Sequence, residues 1–483
     1  MTPFEITFIG SLGVLIYFLI YGIIHKTDST AFFNCNKQLR KTEFGDSFAA
    51  ASTSLATVLF FFVTLGLENG LYILISPLSY YCGIYLYNKL IVPKLELYGF
   101  GDTTQPSHIS LGDTLGKFIE SRYGSKSVKI VISIITILGI ISILLIELFV
   151  GVEIFNIFLK TEYKEAALIL IAIVAFIYTG LGGLNTVVQT DKLQFRFMLV
   201  VATGIVVYLF FQKPPITLKD FLPTPMSLSN GLLLEWPLLL NVMFVNILLI
   251  PSLLRNWQLI SATKDYNEVK KGLMHGFYLT AIISTLFVVL GILYFKLYPQ
   301  TEVSLNGILI SMANSNLWFL SYILMPLLFI ACLMALLSTV DSSLLPIVQS
   351  ITCDFSKEKE KKPKYLRLTF VLLIITLFLY WVVFKMLHFD LINWLYTIFS
   401  LVTVSCPVIV FACIGNSNVL RTKTMRITSI VSTIIGLIIT LGLSYYGNLI
   451  QDIWCIQLNT PIATFIVFAI LTIVYCNIKN HSN

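Results

Sequence analysis

The sequence predicts an all-α polytopic membrane protein folded as a single domain over residues 1–483. Three observations carry that expectation. Of the 483 residues, 57% are hydrophobic and only 12% are charged, a balance that no water-soluble core requires. Apolar runs of roughly 20 residues, the length that crosses hydrocarbon, recur with short breaks, and about 13 transmembrane helices can be counted. Charge placement is the third. With the N-terminus outside, 26 of the 32 Lys and Arg fall in inner-side loops, leaving Lys160, Lys164, Lys213, Lys219, Lys296 and Lys385 outside. That asymmetry is the positive-inside pattern. The net charge of +7 therefore reports orientation, with the C-terminus cytoplasmic in a plasma (inner) membrane, and points to the lipid bilayer rather than to nucleic acid.

Taken in order, span 1 covers Thr7 to Ile24. The N-terminal Met-Thr-Pro-Phe-Glu-Ile has no basic run before it, so a cleaved signal peptide is not expected. Span 2 starts near Asp46 as Ser-Phe-Ala-Ala-Ala-Ser-Thr-Ser-Leu-Ala-Thr and turns apolar at Val58. Small and hydroxyl residues of that kind let helices approach closely and re-satisfy a broken backbone. Span 3 follows Glu68-Asn69-Gly70. In the polar loop Leu95 to Lys126, Leu115, Phe118 and Ile119 recur at helical spacing behind a Thr114 cap, which predicts a short amphipathic helix at the membrane surface.

Span 4, Val128 to Phe158, carries Glu147 at its middle. Span 5, Ala166 to Leu181, ends at Gly182-Gly183, and span 6 is expected to start after Thr190-Asp191. Span 7, Gly231 to Leu254, holds Asn241, Asn246 and Pro251. Proline removes a backbone donor and clashes with the preceding turn, so a helix break is expected there. Span 8 runs from Met274 to Leu297 and span 9 from Trp318 to Ile351. After the basic loop Lys357 to Arg367 come spans 10 to 13: Phe370 to Met386, Leu391 to Ile414 (interrupted by Pro407), Ile427 to Tyr446 and Pro461 to Ile478. Spans 2 and 7 both look breakable and stand five apart. This spacing suggests two inverted five-helix repeats, about residues 46–212 and 231–414, whose discontinuous first helices meet near the bilayer midplane.

Span 9 contains the most polar stretch at depth, Ala335-Leu-Leu-Ser-Thr-Val-Asp-Ser-Ser-Leu-Leu-Pro-Ile-Val-Gln-Ser350. At 100° per residue, Ala335, Ser338, Thr339 and Ser342 share one face, and Asp341 lies about 60° beyond Ser338. Polar groups at that depth are costly in lipid and should face the protein interior or a wet cavity. Hard oxygen ligands suit a small cation. The competing reading is that the hydroxyls bond back to their own helix carbonyls. The eight cysteines have no metal spacing, Gly180 to Gly183 lacks the rest of a phosphate loop, and no paired acid–base arrangement is present, so an enzyme is not expected.

The stretch Tyr178-Thr-Gly-Leu-Gly-Gly-Leu-Asn-Thr-Val-Val-Gln-Thr-Asp-Lys-Leu-Gln194 resembles the signature of the solute:sodium symporter family. Thr114 to Gly124, the Ala-x-x-Ser-Thr of Ala335 to Thr339, and Gln258 with Ser261-Ala-Thr-Lys264 are similar to the same family and occur in its order. The resemblance implies the five-plus-five inverted repeat of the leucine transporter, with one extra N-terminal and two extra C-terminal helices. It also implies Na+ between spans 2 and 9, held by the carbonyls of Thr53, Ala56 and Ala335 and the hydroxyls of Ser338 and Thr339. Some members bind a second sodium, which carries over to Asp191, Ser338 and Ser342. Asp341 departs from the pattern, since those members tend to have a hydroxyl there. It either strengthens that second site or caps a structural network. Asp191 has a rival reading as the N-cap of span 6.

For the solute, the resemblance and the placement of polar groups single out Thr57, Phe60, Thr64, Glu147 and Asn246. Glu147 is read equally as a conformational residue, and Asn246 equally as an interhelical hydrogen bond. No Lys or Arg is expected deep in spans 2, 4, 7 or 11, so the pocket should be narrow, aromatic and low in charge. The expected function is a sodium-coupled symporter importing a small organic solute by alternating access. The alternative is a membrane sensor of the same fold, for which no following signalling segment is expected in this chain.

Overall fold

The computed structural model describes residues 2–26, 32–100, 114–155, 164–212, 236–299, 304–355, 362–382, 401–450 and 458–482, with 397 and 455. Among them the chain is helical. Helix α1 is Pro3–Ile24, opened by a capping box in which Thr2 and Glu5 satisfy each other's backbone N–H. Phe8, Ile9, Leu12, Ile16, Ile20 and Ile23 form an exposed apolar stripe, the face expected toward lipid. Helix α2, Lys41–Ser52, stops at Thr53, and the chain resumes as a π-helical segment, Leu55–Phe61, leading into α3, Phe62–Asn69. The expected break in span 2 is therefore present. Span 3 is built from α4, Ile75–Leu86, a π-helical turn and α5, Val92–Leu97.

Helix α6, Leu115–Tyr123, is capped by Thr114, whose hydroxyl accepts from Lys117 N at 3.2 Å, and ends at Gly124 with φ 60°. Its apolar residues do not meet the membrane surface. Leu115, Phe118 and Ile119 are at most 1% exposed, and the helix packs on the protein instead. Arg122 Nε and both terminal nitrogens donate to Ala412 O (2.7 Å), Ser417 Oγ (2.5 Å) and Gly415 O (2.7 Å), and the guanidinium stacks 3.6 Å over the Tyr98 ring. A basic side chain thus caps the C-terminal end of another helix.

Helix α7, Lys126–Phe155, precedes α8, Lys164–Phe210, which is kinked at Gly183 (φ 66°, ψ −164°). Glycine is required there, because a Cβ would lie 2.7 Å from Phe32 O, the carbonyl that accepts from Leu184 N at 2.8 Å. Span 6 therefore begins at Leu184. Thr190 and Asp191 lie inside the helix, so the N-cap reading of Asp191 is corrected: Phe32 O and Gly183 form that junction, two turns earlier.

Helix α9, Trp236–Ser252, and α10, Leu254–Ala262, meet at Leu253 in a bend of 44°. The side chains of Asn256 and Trp257 donate to the carbonyls of Ile250 (2.7 Å) and Pro251 (2.8 Å), re-satisfying the broken ladder. Pro251 marks this break, as expected. Next come α11, Tyr266–Leu297, and α12, Leu305–Ala313. Helix α13, Met325–Ser350, follows, flanked by π-helical turns. The C-terminal part comprises α14, Lys362–Tyr380; α15, Cys406–Ile414; α16, Ser417–Leu420; α17, Lys423–Ile450; and α18, Asn459–Ser482. Pro407 sits in the first turn of α15, where its missing N–H costs nothing.

Seven described helices are long and apolar enough to cross a membrane, or up to eight if the bent α9/α10 pair is one span. The other expected spans are built from shorter segments or extend into residues outside the described set. Helix α13 lies at the centre: every residue from Ala331 to Ser350 is buried. It packs against α8, α7, α1 and α2 as well as the π-helical segment after α2, while α11 lies along α2 and α3.

Candidate functional site: a broken helix facing a polar turn

The break after α2 is made by hydroxyls. Ser52 Oγ donates to Phe48 O and Thr53 Oγ1 to Ala49 O, both at 2.8 Å, so the last turn is bonded back upon itself. Thr53 then leaves the helical region at ψ 64°. The next segment starts with N–H groups that have no helical partner in a dry interior. Glu147 of α7 supplies the acceptors: Oε2 takes the Leu55 N–H at 3.0 Å and Oε1 the Ala56 N–H at 3.3 Å. A carboxylate at the positive end of a helical segment also meets a favourable dipole. Glu147 is 1% exposed and touches the cavity described below. Its first partner is nevertheless the break, so its geometry is that of a conformational residue.

Across from the break, α13 presents its polar turn. Thr339 Oγ1 donates to Ala335 O at 3.1 Å, the back-bond expected as the competing reading, and Ser342 Oγ lies 3.5 Å from Thr339 O. Ser338 behaves differently, donating to Asp191 Oδ1 at 2.7 Å. A hydroxyl whose hydrogen is held elsewhere still offers lone pairs. The two oxygens thus keep lone pairs on the helix that packs against the π-helical segment after the break. Thr53 and Ala56, the other two residues expected at the ion site, lie at the break and in the segment after it, which packs against α13.

Asp191 is fully buried. Its Oδ2 accepts from Ser47 Oγ at 2.5 Å and lies 3.5 Å from a terminal nitrogen of Arg255. The same nitrogen donates to the Ser47 carbonyl. Asp341, on the neighbouring face of α13, accepts from Tyr178 OH at 2.5 Å, linking α13 to the first half of α8. Ser342 joins the cavity side of α13, not this cluster.

Between the two breaks lies a cavity of about 190 Å³. Val58, Phe62, Ile143 and Val245 give it an apolar lining, and Ser52, Tyr80 and Asn246 add polar atoms. Tyr80 OH and Ser52 Oγ are 2.9 Å apart, and Tyr81 OH donates to Thr280 O at 3.1 Å. Asn246 Nδ2 donates to Ser76 O (2.8 Å) and Ser79 Oγ (3.1 Å), so the interhelical bond expected of it is formed while the residue also lines the cavity. Thr64 is not among the lining residues. The side chains of Thr57 and Phe60 lie outside the described set.

Two lining features escaped sequence reasoning. Tyr80 and Tyr81 belong to span 3, where the Ser79-Tyr-Tyr81 run was the available signal. Arg255, counted as an inner-loop charge, has a side chain only 13% exposed and lines the cavity, the one cation among the described residues to do so.

An all-helical bundle in which two broken helices line one cavity has the multi-pass architecture of the leucine-transporter-like inverted-repeat class. Among solved structures, a Na+-coupled sialic acid symporter in a substrate-bound outward-open state is similar at a TM-score of 0.76 and 17% identity, covering 97% of each chain. At that identity the likeness shows the fold. The manganese transporter of Eremococcus coleocola is similar at 0.48 (15% identity, 96% of this chain and 95% of that one). MhsT in complex with L-phenylalanine is similar at 0.49 (14% identity, 90% and 99%). No curated protein matches. The chain belongs to the sodium:solute symporter family, whose sequence model matches residues 32–417. Membership carries the coarse function, sodium-coupled movement of a solute across a membrane.

Proposed function

We propose that this chain imports a small, weakly charged organic solute with sodium bound between the α2 break and α13. The ligand set is the carbonyls of Thr53, Ala56 and Ala335 with the hydroxyls of Ser338 and Thr339. The observation that supports it is the break itself: Glu147 holds the backbone of Leu55 and Ala56 open beside a helix turn whose hydroxyl hydrogens are already committed. Neutral oxygens of this kind suit a weakly held hard cation. Sodium there joins two helices that must separate for the site to open inward, and so favours the outward-facing state. Linkage then requires sodium and solute to raise each other's affinity.

The solute rests in the cavity bounded by Val58, Phe62, Tyr80 and Asn246. Its lining is mostly apolar, and the charge of Arg255 is already offset by buried Asp191, so a strongly anionic solute has no free partner. The N-terminus is outside and the C-terminus cytoplasmic in this reading. Uptake into proteoliposomes decides it, using a panel of radiolabelled amino acids, carboxylates, amines, nucleobases and vitamins. One solute should accumulate under an inward sodium gradient; equal uptake in sodium and in potassium would overturn the reading.

A further inference from the structure

Two charges in this molecule stand outside the sodium site just described. Asp341 is fully buried on α13, with one oxygen taking the Tyr178 hydroxyl hydrogen and the other, Oδ1, without a hydrogen-bond partner of ordinary geometry among the described residues. Arg255 comes from the first turn of α10, directly after the second helix break. One terminal nitrogen of its guanidinium meets three kinds of oxygen: the Ser47 carbonyl, the Ser47 hydroxyl at 3.3 Å and the Asp191 carboxylate at 3.5 Å. Carboxylate, hydroxyl and carbonyl oxygens converging on one point are the donor set that a sodium ion would use. Asp341 stands three residues beyond Ser338 on α13, and the Ser338 hydroxyl donates to Asp191 Oδ1 at 2.7 Å. Asp191 therefore has a buried guanidinium beside it, and without one its carboxylate would stand uncompensated inside the membrane.

We propose that Arg255 is a tethered cation occupying the place of a second sodium at Asp191, so that the chain binds and moves one sodium per solute. The inference rests on the sodium reading above and refines its stoichiometry. A mobile ion at Asp191 would have to share the carboxylate with a guanidinium that is already bonded there, and like charges at that separation repel strongly in a dry interior. Because Arg255 is covalently fixed, it stabilises α2 against α8 and α10 without adding to the driving force. Arg255 is thus a positioning residue.

The test is equilibrium binding of radioactive sodium to the purified full-length protein in nanodiscs, with no solute needed. One saturable site is expected in the native chain and in Arg255→Lys, which keeps the charge. Arg255→Ala frees Asp191 and should bind two sodium ions, with a Hill coefficient rising above one. Two sites in the native chain would overturn the proposal whether or not the variant folds. So would a folded Arg255→Ala variant, checked by thermal unfolding, that still binds one. No saturable sodium binding in the native chain would overturn both this proposal and the sodium reading, and is distinguishable from a count of two.

Discussion

At the scale of single residues, the site works through where hydrogens are placed. Ser338 and Thr339 give theirs to Asp191 and Ala335, which leaves oxygen lone pairs for an ion. The double variant Ser338→Ala, Thr339→Ala removes both, at about 1 kcal/mol per hydroxyl. It should raise the sodium concentration for half-maximal uptake by about tenfold or more, since 1.4 kcal/mol is a factor of ten. Unchanged sodium dependence would place the ion elsewhere. Glu147 is a different case. Removing its carboxylate in Glu147→Ala orphans two buried N–H groups, at about 1–3 kcal/mol each. A lowered thermal midpoint together with lost uptake is expected, and Glu147→Gln, which keeps one acceptor oxygen, should retain part of both. A variant with native stability and altered solute selectivity would instead make Glu147 a solute contact.

At the scale of elements, two junctions are specified by long-range partners. The α8 kink needs a left-handed glycine against the Phe32 carbonyl, so Gly183→Ala meets both an unfavourable φ and a close contact. A loss of about 1–3 kcal/mol is expected from strain of this kind, read as a lowered thermal midpoint. Helix α6 was legible as amphipathic, with its Thr114 cap and Gly124 stop. Its apolar face was assigned to the membrane surface because hydropathy cannot separate lipid from protein as the apolar partner. Arg122 decides the matter by capping α15 with two hydrogen bonds and holding the Ser417 hydroxyl of α16 with a third. In Arg122→Ala, hydrogen exchange across 115–123 should speed up well beyond that of α7; equal protection would mean that the apolar contacts alone hold α6.

At the scale of the whole molecule, α2 is closed against α8 and α10 through Ser47, Asp191 and Arg255. The positive-inside reading places that closure on the cytoplasmic side. Under the alternating access proposed above, this closure would be undone when the inner side opens. Ala50, fully buried on α2, reports the change. In a background without the native cysteines, a cysteine at position 50 should react with a polar thiol reagent added from the inner side. Sodium should slow that reaction several-fold, because it favours the closed inner face. Labelling insensitive to sodium would separate ion binding from inner closure.

The sequence by itself determined the all-helical membrane fold, the order of its spans, the breaks near Thr53 and Pro251, and the polar turn from Ala335 to Ser342. These are local properties: hydropathy marks what crosses lipid, and hydroxyls, small residues and proline weaken a helix wherever they stand. Tertiary structure alone decided which group answers which. Glu147 reaches Leu55 and Ala56 from 92 and 91 positions away, Tyr178 takes up Asp341 across 163, and Asp191 meets Ser338 across 147. Asp191 was set at a helix start because its Thr-Asp pair looks like a cap, whereas Gly183 and Phe32 had already formed that junction. Arg255 was counted as a loop charge because a residue next to a break reads as solvated. Only the packing of α10 against α13 and α7 turns its guanidinium inward, where the Ser47 carbonyl and buried Asp191 hold it.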